Sequence, residues 1–377
     1  MSAVIAGFAR SPFTRAMKGE LSKKRPDDIA SEVINALIRD NNINPELIED
    51  LIVGTAFPEA EQGYNIARLL IFLTDLPETV PGVTINRFCG SSMQAIHDAA
   101  GRISLGAGNA FIAGGIESMS RIPMTGFNPM PNPKLIDIYP STFTSMGITA
   151  ENLAKKYDIS REDQELFAIE SHKKANSARE SGNLTEEIIP ITTDTEPIQQ
   201  DGCIRADTNH ESLAKLNPAF LENGSVTAGT SSPLTDGAAF VIVCSKEFAV
   251  ENNLKIMAKI TSTAVTGCLP EIMGIGPVEA TKKALERADI KLDDVDIIEL
   301  NEAFAAQSIA VINELGLDTT KVNIDGGAIA IGHPLGASGA RITGKAAQIL
   351  NRTESKVALA TMCIGGGQGI ATILEKP

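Results

Sequence analysis

The sequence predicts an α/β protein built from a duplicated unit, and three observations carry that expectation. A helix, a linker and a short apolar strand occur in the same order near both ends of the chain. A strand, an amphipathic helix and a buried strand follow each copy. Between the copies the texture of the chain changes. At 377 residues the chain also exceeds what one hydrophobic core usually holds, so two or more packed domains are expected.

In the first copy Ile29, Val33 and Leu37 recur at helical spacing just after Pro26-Asp27-Asp28, and Leu51-Ile52-Val53 supplies the strand. In the second, Pro277 opens a helix through Ala284 and Leu285, and Ile297-Ile298 is the strand. Val83–Phe88 then reads as a strand, Ser91–Leu105 as a helix with Met93, Ile96, Ala100 and Ile103 on one face, and Phe111–Gly115 as a buried strand and turn. Their counterparts are a strand at Lys321–Ile324, a helix at Ala337–Leu350 and a strand at Val357–Thr361 that enters a glycine turn. Parallel sheets with crossover helices are the economical arrangement. From about 118 to 233, Pro123, Pro129, Pro131, Pro133 and Pro140 break the chain, and a charged helical stretch runs from Ala150 to Glu180. This reads as an inserted loop domain covering one face, with a long surface insertion as the alternative. The expected divisions are an N-terminal half at 1–117, completed by about 234–256, the insertion at 118–233, and a C-terminal half at 257–377.

Composition removes several function classes. Aromatic residues make up 4% with no Trp, which argues against base stacking on nucleic acid or an aromatic sugar groove. The formal net charge of −14 repels polyphosphate backbones on average, so an anionic ligand requires a local basic pocket. No apolar run is long enough to span a membrane, Arg10 and Arg15 interrupt any signal-peptide pattern, and the terminal Leu-Glu-Lys-Pro is not a peroxisomal address. A cytoplasmic protein is expected. The five cysteines, at 89, 203, 244, 268 and 363, include no C-x-x-C pair. They form neither a disulfide framework nor a metal-ligand pattern, so free thiols and no metal are expected.

Two of those thiols sit in suggestive surroundings. Cys89 lies in Asn86-Arg87-Phe88-Cys89-Gly90-Ser91-Ser92, where a strand ends and a helix begins. A thiol at a helix N-terminus feels the positive end of the dipole, which lowers its pKa. A buried structural cysteine is the plainer reading of the residue alone. His333, in Gly332-His333-Pro334-Leu335-Gly336-Ala337-Ser338-Gly339, occupies the duplicated counterpart of the Cys89 position. An imidazole beside a thiol is the usual activated nucleophile. Cys363 follows a buried strand and precedes Ile364-Gly365-Gly366-Gly367, whose N–H groups could line an oxyanion hole. Asn301-Glu302-Ala303-Phe304 also follows a strand, placing an amide and a carboxylate at the same sheet edge. The near P-loop Gly339–Lys345 fails, because Ala346 replaces the required Ser or Thr and the stretch reads as helix.

Taken together, C-G-S-S-M at Cys89, N-E-A-F at Asn301, G-H-P-x-G-x-S-G at His333 and C-I-G-G-G at Cys363 resemble the thiolase family over nearly the whole chain. The resemblance implies two βαβαβαββ halves in a five-layered α-β-α-β-α core. It also implies a ping-pong cycle without a cofactor, in which coenzyme A is a substrate. Cys89 attacks a 3-ketoacyl-CoA and carries the acyl group as a thioester, His333 takes the thiol proton, and Cys363 is the acid and base at the α-carbon. One oxyanion site is His333 with a water held by Asn301; the other is the N–H groups of Cys89 and Gly365. Arg205 and Ser212 correspond to positions at the nucleotide end of CoA, and Ala228, Ser232 and Leu234 to the pantetheine segment. Phe220, Met146, Ala303 and Phe304 correspond to the tunnel wall. Ser145-Met146-Gly147, where short-chain members carry His-Met-Gly, tilts the resemblance toward the 3-ketoacyl-CoA thiolases of fatty acid β-oxidation. Asp325 stands where Asn is usual before Gly-Gly. A short-chain acetoacetyl-CoA thiolase and a non-catalytic acyl-CoA-binding scaffold are the alternatives. The resemblance further implies a homodimer or tetramer, and a possible complex with the hydratase/dehydrogenase subunit that makes the 3-ketoacyl-CoA.

Overall fold

The computed structural model describes all 377 residues. In chain order, the first stretch carries β1 (Ala3–Arg10), β2 (Thr14–Arg15), α1 (Pro26–Asp40), β3 (Asp50–Gly54), α2 (Ile66–Ile71), β4 (Gly82–Ile85), α3 (Ser91–Ser104) and β5 (Ala110–Ser118). The middle carries α4 (Pro133–Ile138), α5 (Met146–Lys156), α6 (Arg161–Glu180) and α7 (His210–Ala214). The chain continues through β6 (Thr235–Ser245), α8 (Lys246–Glu251), β7 (Ala258–Gly267), α9 (Gly276–Ala288), β8 (Ile297–Leu300) and α10 (Ala305–Leu315). It ends with α11 (Ala328–Ile331), α12 (Leu335–Arg352), β9 (Val357–Ile364) and β10 (Gln368–Glu375).

The strands run β4-β3-β5-β6-β1-β7-β10-β9-β8, with β2 beside β6. The duplication is visible in the pairing. β3 is parallel to β4 and β5, and β6 is antiparallel to β5 and β1. In the second half β8 is parallel to β9, and β10 is antiparallel to β9 and β7. The halves meet where β1 pairs with β7 through Val4 and Ile5.

Period-two burial sorts the strand residues to two faces. On β6, Ala239, Val241 and Val243 face a central core shared with α3, α12 and inward residues of β7, β9 and β10. Ala238, Phe240, Ile242 and Cys244 face α1 and α2 instead. α9 and α10 cover the outer face of the second half. The layers are therefore α1/α2, first half-sheet, α3/α12, second half-sheet and α9/α10. α3 and α12 approach closely: a Cβ on Gly339 would stand 2.5 Å from the Met93 nitrogen. That contact requires glycine at this position of α12.

Four expectations need correction. The sheets are mixed rather than parallel, because the glycine turn after Ile364 returns the chain antiparallel as β10. The strand expected at Lys321–Ile324 shrinks to one bridge, Val322 with Ile298, since Thr319–Lys321 and Ile324–Asp325 lie in turns and Asn323 is left-handed. Gly114-Gly115 continues β5 instead of turning, because flanking strands β3 and β6 pair across both residues. The helical stretch Ala150–Glu180 is two helices, α5 and α6. Asp158 is left-handed at φ 53°, and Ser160 with Asp163 forms a capping box that restarts the helix.

A buried ionic network ties the middle segment to this frame. Arg10 of β1 donates to Glu187 at 2.6 Å and forks onto Asp201 at 2.7 Å. Lys345 of α12 reaches Glu187 at 2.7 Å and Asp325 at 2.9 Å, and Arg352 also pairs with Asp325. Burial would raise the Glu187 carboxyl, but Lys345 and Arg10 outweigh it and hold it at about 2. Asp325, the departure noted above, therefore has a defined structural partner set. Removing one member of a buried pair strands the others, so Lys345→Met is expected to destabilise the chain by about 3–5 kcal/mol. Equilibrium urea unfolding measures that loss.

Candidate active site

Cys89 is presented by a strand–turn–helix corner. β4 ends at Ile85, shorter than the expected strand, and Phe88–Gly90 forms a single tight turn before α3. Asn86 Oδ1 accepts from the Phe88 N–H at 2.7 Å, while its amide donates to the Ala56 carbonyl at 2.9 Å. Ser91 Oγ accepts from the Arg87 N–H and donates to the Phe88 carbonyl. These contacts hold Phe88 in the left-handed region at φ 44°, a strain that persists only where its surroundings fix it. The backbone N–H groups of Gly365 and of Cys89 itself favour the charged form of the Cys89 sulfur.

The helix N-terminus does not yield the low pKa expected from sequence. Burial pushes the Cys89 thiol up to about 11, against the pull of those two N–H groups, and the charge of Glu117 adds to the rise. Desolvation of a thiolate in this apolar corner outweighs two hydrogen bonds.

His333 follows α11 and precedes α12, and its N–H donates to Thr235 Oγ1 at 3.2 Å. Its Nδ1 lies 2.5 Å from Ser338 Oγ, and that hydroxyl donates to the Pro334 carbonyl at 2.9 Å. Ser338 therefore accepts from Nδ1–H, which leaves Nε2 as the bare, basic nitrogen; the tautomer follows from this network. Asn301 Nδ2 is 3.3 Å from Nε2, consistent with that assignment. Burial lowers the imidazole to about 4. At neutral pH the resting pair is thus a neutral thiol and a neutral imidazole.

Cys363, at the carboxyl end of β9, is 1% exposed, and burial followed by neighbouring Cys89 and Cys268 raises its thiol well above the usual value. It packs in an apolar cluster with Ala303, Phe304, Ala150 and Met146. A Cβ on Gly365 would stand 3.5 Å from the Met146 sulfur, so Met146 lies directly against Gly365. Phe220 stacks edge-on against Phe304 at 5.9 Å. Ser232 donates through both N–H and Oγ to the Ala303 carbonyl at 3.0 Å, which locks the 227–234 segment onto the strand-end loop. Phe220, Leu234, Leu269 and Phe88 are 39–52% exposed.

Cys89 lies close enough to Cys363 and Gly365 for each to affect its charge, His333 lies beside Asn301, and Met146, Ala303 and Phe304 pack with Cys363, with Phe220 on Phe304 and Ser232 on Ala303. Ala228 is exposed on the same segment. Arg205 and Ser212 lie farther out and are exposed; the Arg205 N–H donates to His172 Nδ1, and Ser212 completes a capping box with Asn209. Sequence reasoning missed Ser338 and Thr235, which orient His333, and Glu117. The signal for Ser338 was its place one turn after His333 on the same helix start. For Glu117 it was a carboxylate inside an otherwise apolar strand.

The buried thiols of Cys89 and Cys363, which act on each other electrostatically, and the neutral imidazole of His333 beside Asn301, on a duplicated α/β frame, are groups suited to covalent acyl transfer. The comparisons agree with that class. Residues 3–247 match the family model for the thiolase N-terminal domain, and residues 254–376 that for the thiolase C-terminal domain. A 3-ketoacyl-CoA thiolase of Bacillus subtilis is 45% identical over 99% of both chains. One of Marinobacter nauticus is 46% identical over 99% of this chain and 98% of its own. The crystal structure of the Bacillus anthracis acetyl-CoA acetyltransferase superposes with a TM-score of 0.91 at 38% identity, covering 99% of this chain and 98% of that one. The chain belongs to the thiolase family and is an acyltransferase.

Proposed function

We propose that this thiolase cleaves 3-ketoacyl-CoA with coenzyme A, releasing acetyl-CoA and a shortened acyl-CoA through an acyl-Cys89 thioester. The observation that carries the reading is the convergence of Cys89, a bare His333 Nε2 and the buried Cys363 thiol. In the first step His333 Nε2 takes the Cys89 proton as the sulfur bonds to the 3-keto carbon. The carbon–carbon bond then breaks, its electron pair passes to an acetyl-CoA enolate, and Cys363 protonates that enolate. Being held protonated by burial, Cys363 suits the role of acid. The CoA thiol next attacks the acyl-Cys89 carbonyl and its proton restores Cys363; the bond from the acyl carbon to Cys89 then breaks, and His333 returns its proton to the released sulfur. The N–H groups of Cys89 and Gly365 serve the thioester oxyanion, and His333 with Asn301 the enolate oxygen; one well-aimed donor commonly contributes about 3–4 kcal/mol.

The 227–234 segment and Phe220 supply a pantetheine channel, with Arg205 and Ser212 toward the nucleotide, and CoA is the co-substrate. The names of the relatives and the Ser145-Met146-Gly147 sequence support the broad-chain β-oxidation reading. The neighbouring acetyl-CoA acetyltransferase structure keeps a short-chain acetoacetyl-CoA specificity as the second reading. The segment 118–233 acts as the covering domain between the halves at 1–117 with 234–256 and at 257–377. Edge strand β4, only partly buried, stands beside exposed Tyr64, Leu69, Phe72 and Leu73, a surface suited to a second copy of the chain. No helix is long and apolar enough to cross a membrane, and a cytoplasmic setting accords with five free thiols.

The test is the rate of CoA-dependent cleavage across 3-ketoacyl-CoA substrates of increasing chain length. Activity that is kept or rises beyond acetoacetyl-CoA supports the reading. Activity on acetoacetyl-CoA alone moves the chain to the short-chain group, and none at any length rejects thiolysis.

A further inference from the structure

Glu117, next to the end of β5, is 2% exposed. Its four partners are all neutral donors from three places in the chain. Oε2 accepts from the Ala56 N–H and the Gly336 N–H, both at 2.8 Å. Oε1 accepts from Gln62 Nε2 at 2.7 Å and Thr55 Oγ1 at 3.2 Å. No cation pairs with it, so a buried carboxylate is held by oriented dipoles alone.

The positions of those donors matter. Gly336 is three residues after His333 and opens α12, so its N–H fixes the turn that carries the imidazole. Ala56 is bound through its carbonyl by Asn86, which sets the corner that carries Cys89. One carboxylate therefore joins the supports of the nucleophile and of its base. It also places a negative charge that acts on the Cys89 sulfur. The other titratable groups on neighbouring elements are Asp236 of β6, held by Ser118 and Ser120, and His333 itself.

We propose that Glu117 is the positioning residue of the Cys89–His333 pair, clamping the turns that carry both. The inference rests on the thiol–imidazole reading above. The network is polarised so that an amide cannot substitute silently. Gln62 Oε1 accepts from the Ser118 N–H at 2.6 Å, which fixes the Gln62 amide with Nε2 toward Glu117. In Glu117→Gln, an NH2 group would meet that Nε2 donor, or else the Ala56 and Gly336 N–H groups would.

Glu117→Gln is the experiment, read two ways on full-length protein. Steady-state thiolysis should show kcat reduced by about 100-fold with KM little changed, the size of loss that accompanies a misplaced reacting group. The pH profile of Cys89 alkylation by iodoacetamide, followed by peptide mass spectrometry, should move toward lower pH as the opposing charge is lost. The second readout does not depend on the substrate assignment, so a wrong substrate class and a wrong role for Glu117 give different results. An unmoved alkylation profile, or an unchanged kcat, overturns the proposal. Should that variant fail to fold, Gln62→Met strips one donor and leaves the charge poorly held. The carboxyl then protonates more readily, so a lower alkylation midpoint with reduced kcat supports the proposal, and wild-type behaviour in both overturns it.

Discussion

Replacing Cys89 with alanine is expected to lower the rate of 3-ketoacyl-CoA cleavage by about 10⁴-fold or more, the scale on which removal of a covalent nucleophile registers. The loss should fall on kcat. Contacts proposed for CoA come from the 227–234 segment and Phe220, and Cys89 is not among them. The affinity for acyl-CoA, measured by titration calorimetry, should therefore stay near that of the wild type. The corner itself survives the change, because Phe88 and Arg87 are held by Asn86 and Ser91 and not by the sulfur. A variant that binds substrate, melts at the wild-type temperature and still turns over at a comparable rate would remove Cys89 from the mechanism.

Cys363→Ala is expected to separate the two halves of the cycle. Cleavage of the carbon–carbon bond requires an acid at the enolate, and loss of a positioned acid commonly costs about 10²–10⁴-fold. Acyl exchange between acetyl-CoA and labelled CoA needs Cys89, His333 and the N–H groups but no carbon acid: with no enolate to protonate, Cys363 gives up no proton, and His333 Nε2 carries the thiol proton in both directions. The exchange should persist in the variant at a rate within about tenfold of wild type, since those groups are held independently of the Cys363 side chain. Label exchange and thiolysis measured on the same preparation give the comparison. Equal losses in both reactions would mean that Cys363 supports the thioester chemistry itself and not the α-carbon step.

How much of this was readable beforehand differs between frame and site. The duplicated order of elements was legible because strand and helix periodicities are local, and Ile29, Val33 and Leu37 or Met93, Ile96 and Ala100 mark their faces directly. Strand direction was not. The antiparallel return of β10 depends on a tight turn through Gly366 and Gly367, both with positive φ, and on pairing with β7 far away in the chain. The strand at Lys321–Ile324 failed because a run of apolar residues cannot say whether a neighbouring strand is long enough to pair with it. β8 has only four residues.

At the site, Cys89, His333, Asn301 and Cys363 were singled out through their motifs; Asn301 lies beside His333 and Cys363 close to Cys89. The pKa of Cys89 was misjudged, because a helix terminus is visible in sequence whereas the burial of the sulfur, and the charge of Glu117 that adds to it, come from parts of the chain brought in by the fold. The tautomer of His333 was equally out of reach. It depends on Ser338 pointing back across one helical turn, which becomes evident only once α12 is seen to start at Leu335.

The central claim is that Cys89 carries the acyl group. Its most direct test is peptide mass spectrometry of the protein after brief exposure to acetyl-CoA, with and without a chase of free CoA. The account predicts one acetyl group on the peptide containing Cys89, lost on the chase, and absent from those containing Cys203, Cys244, Cys268 and Cys363. No acetylation, or acetylation of Cys363 in place of Cys89, would contradict it.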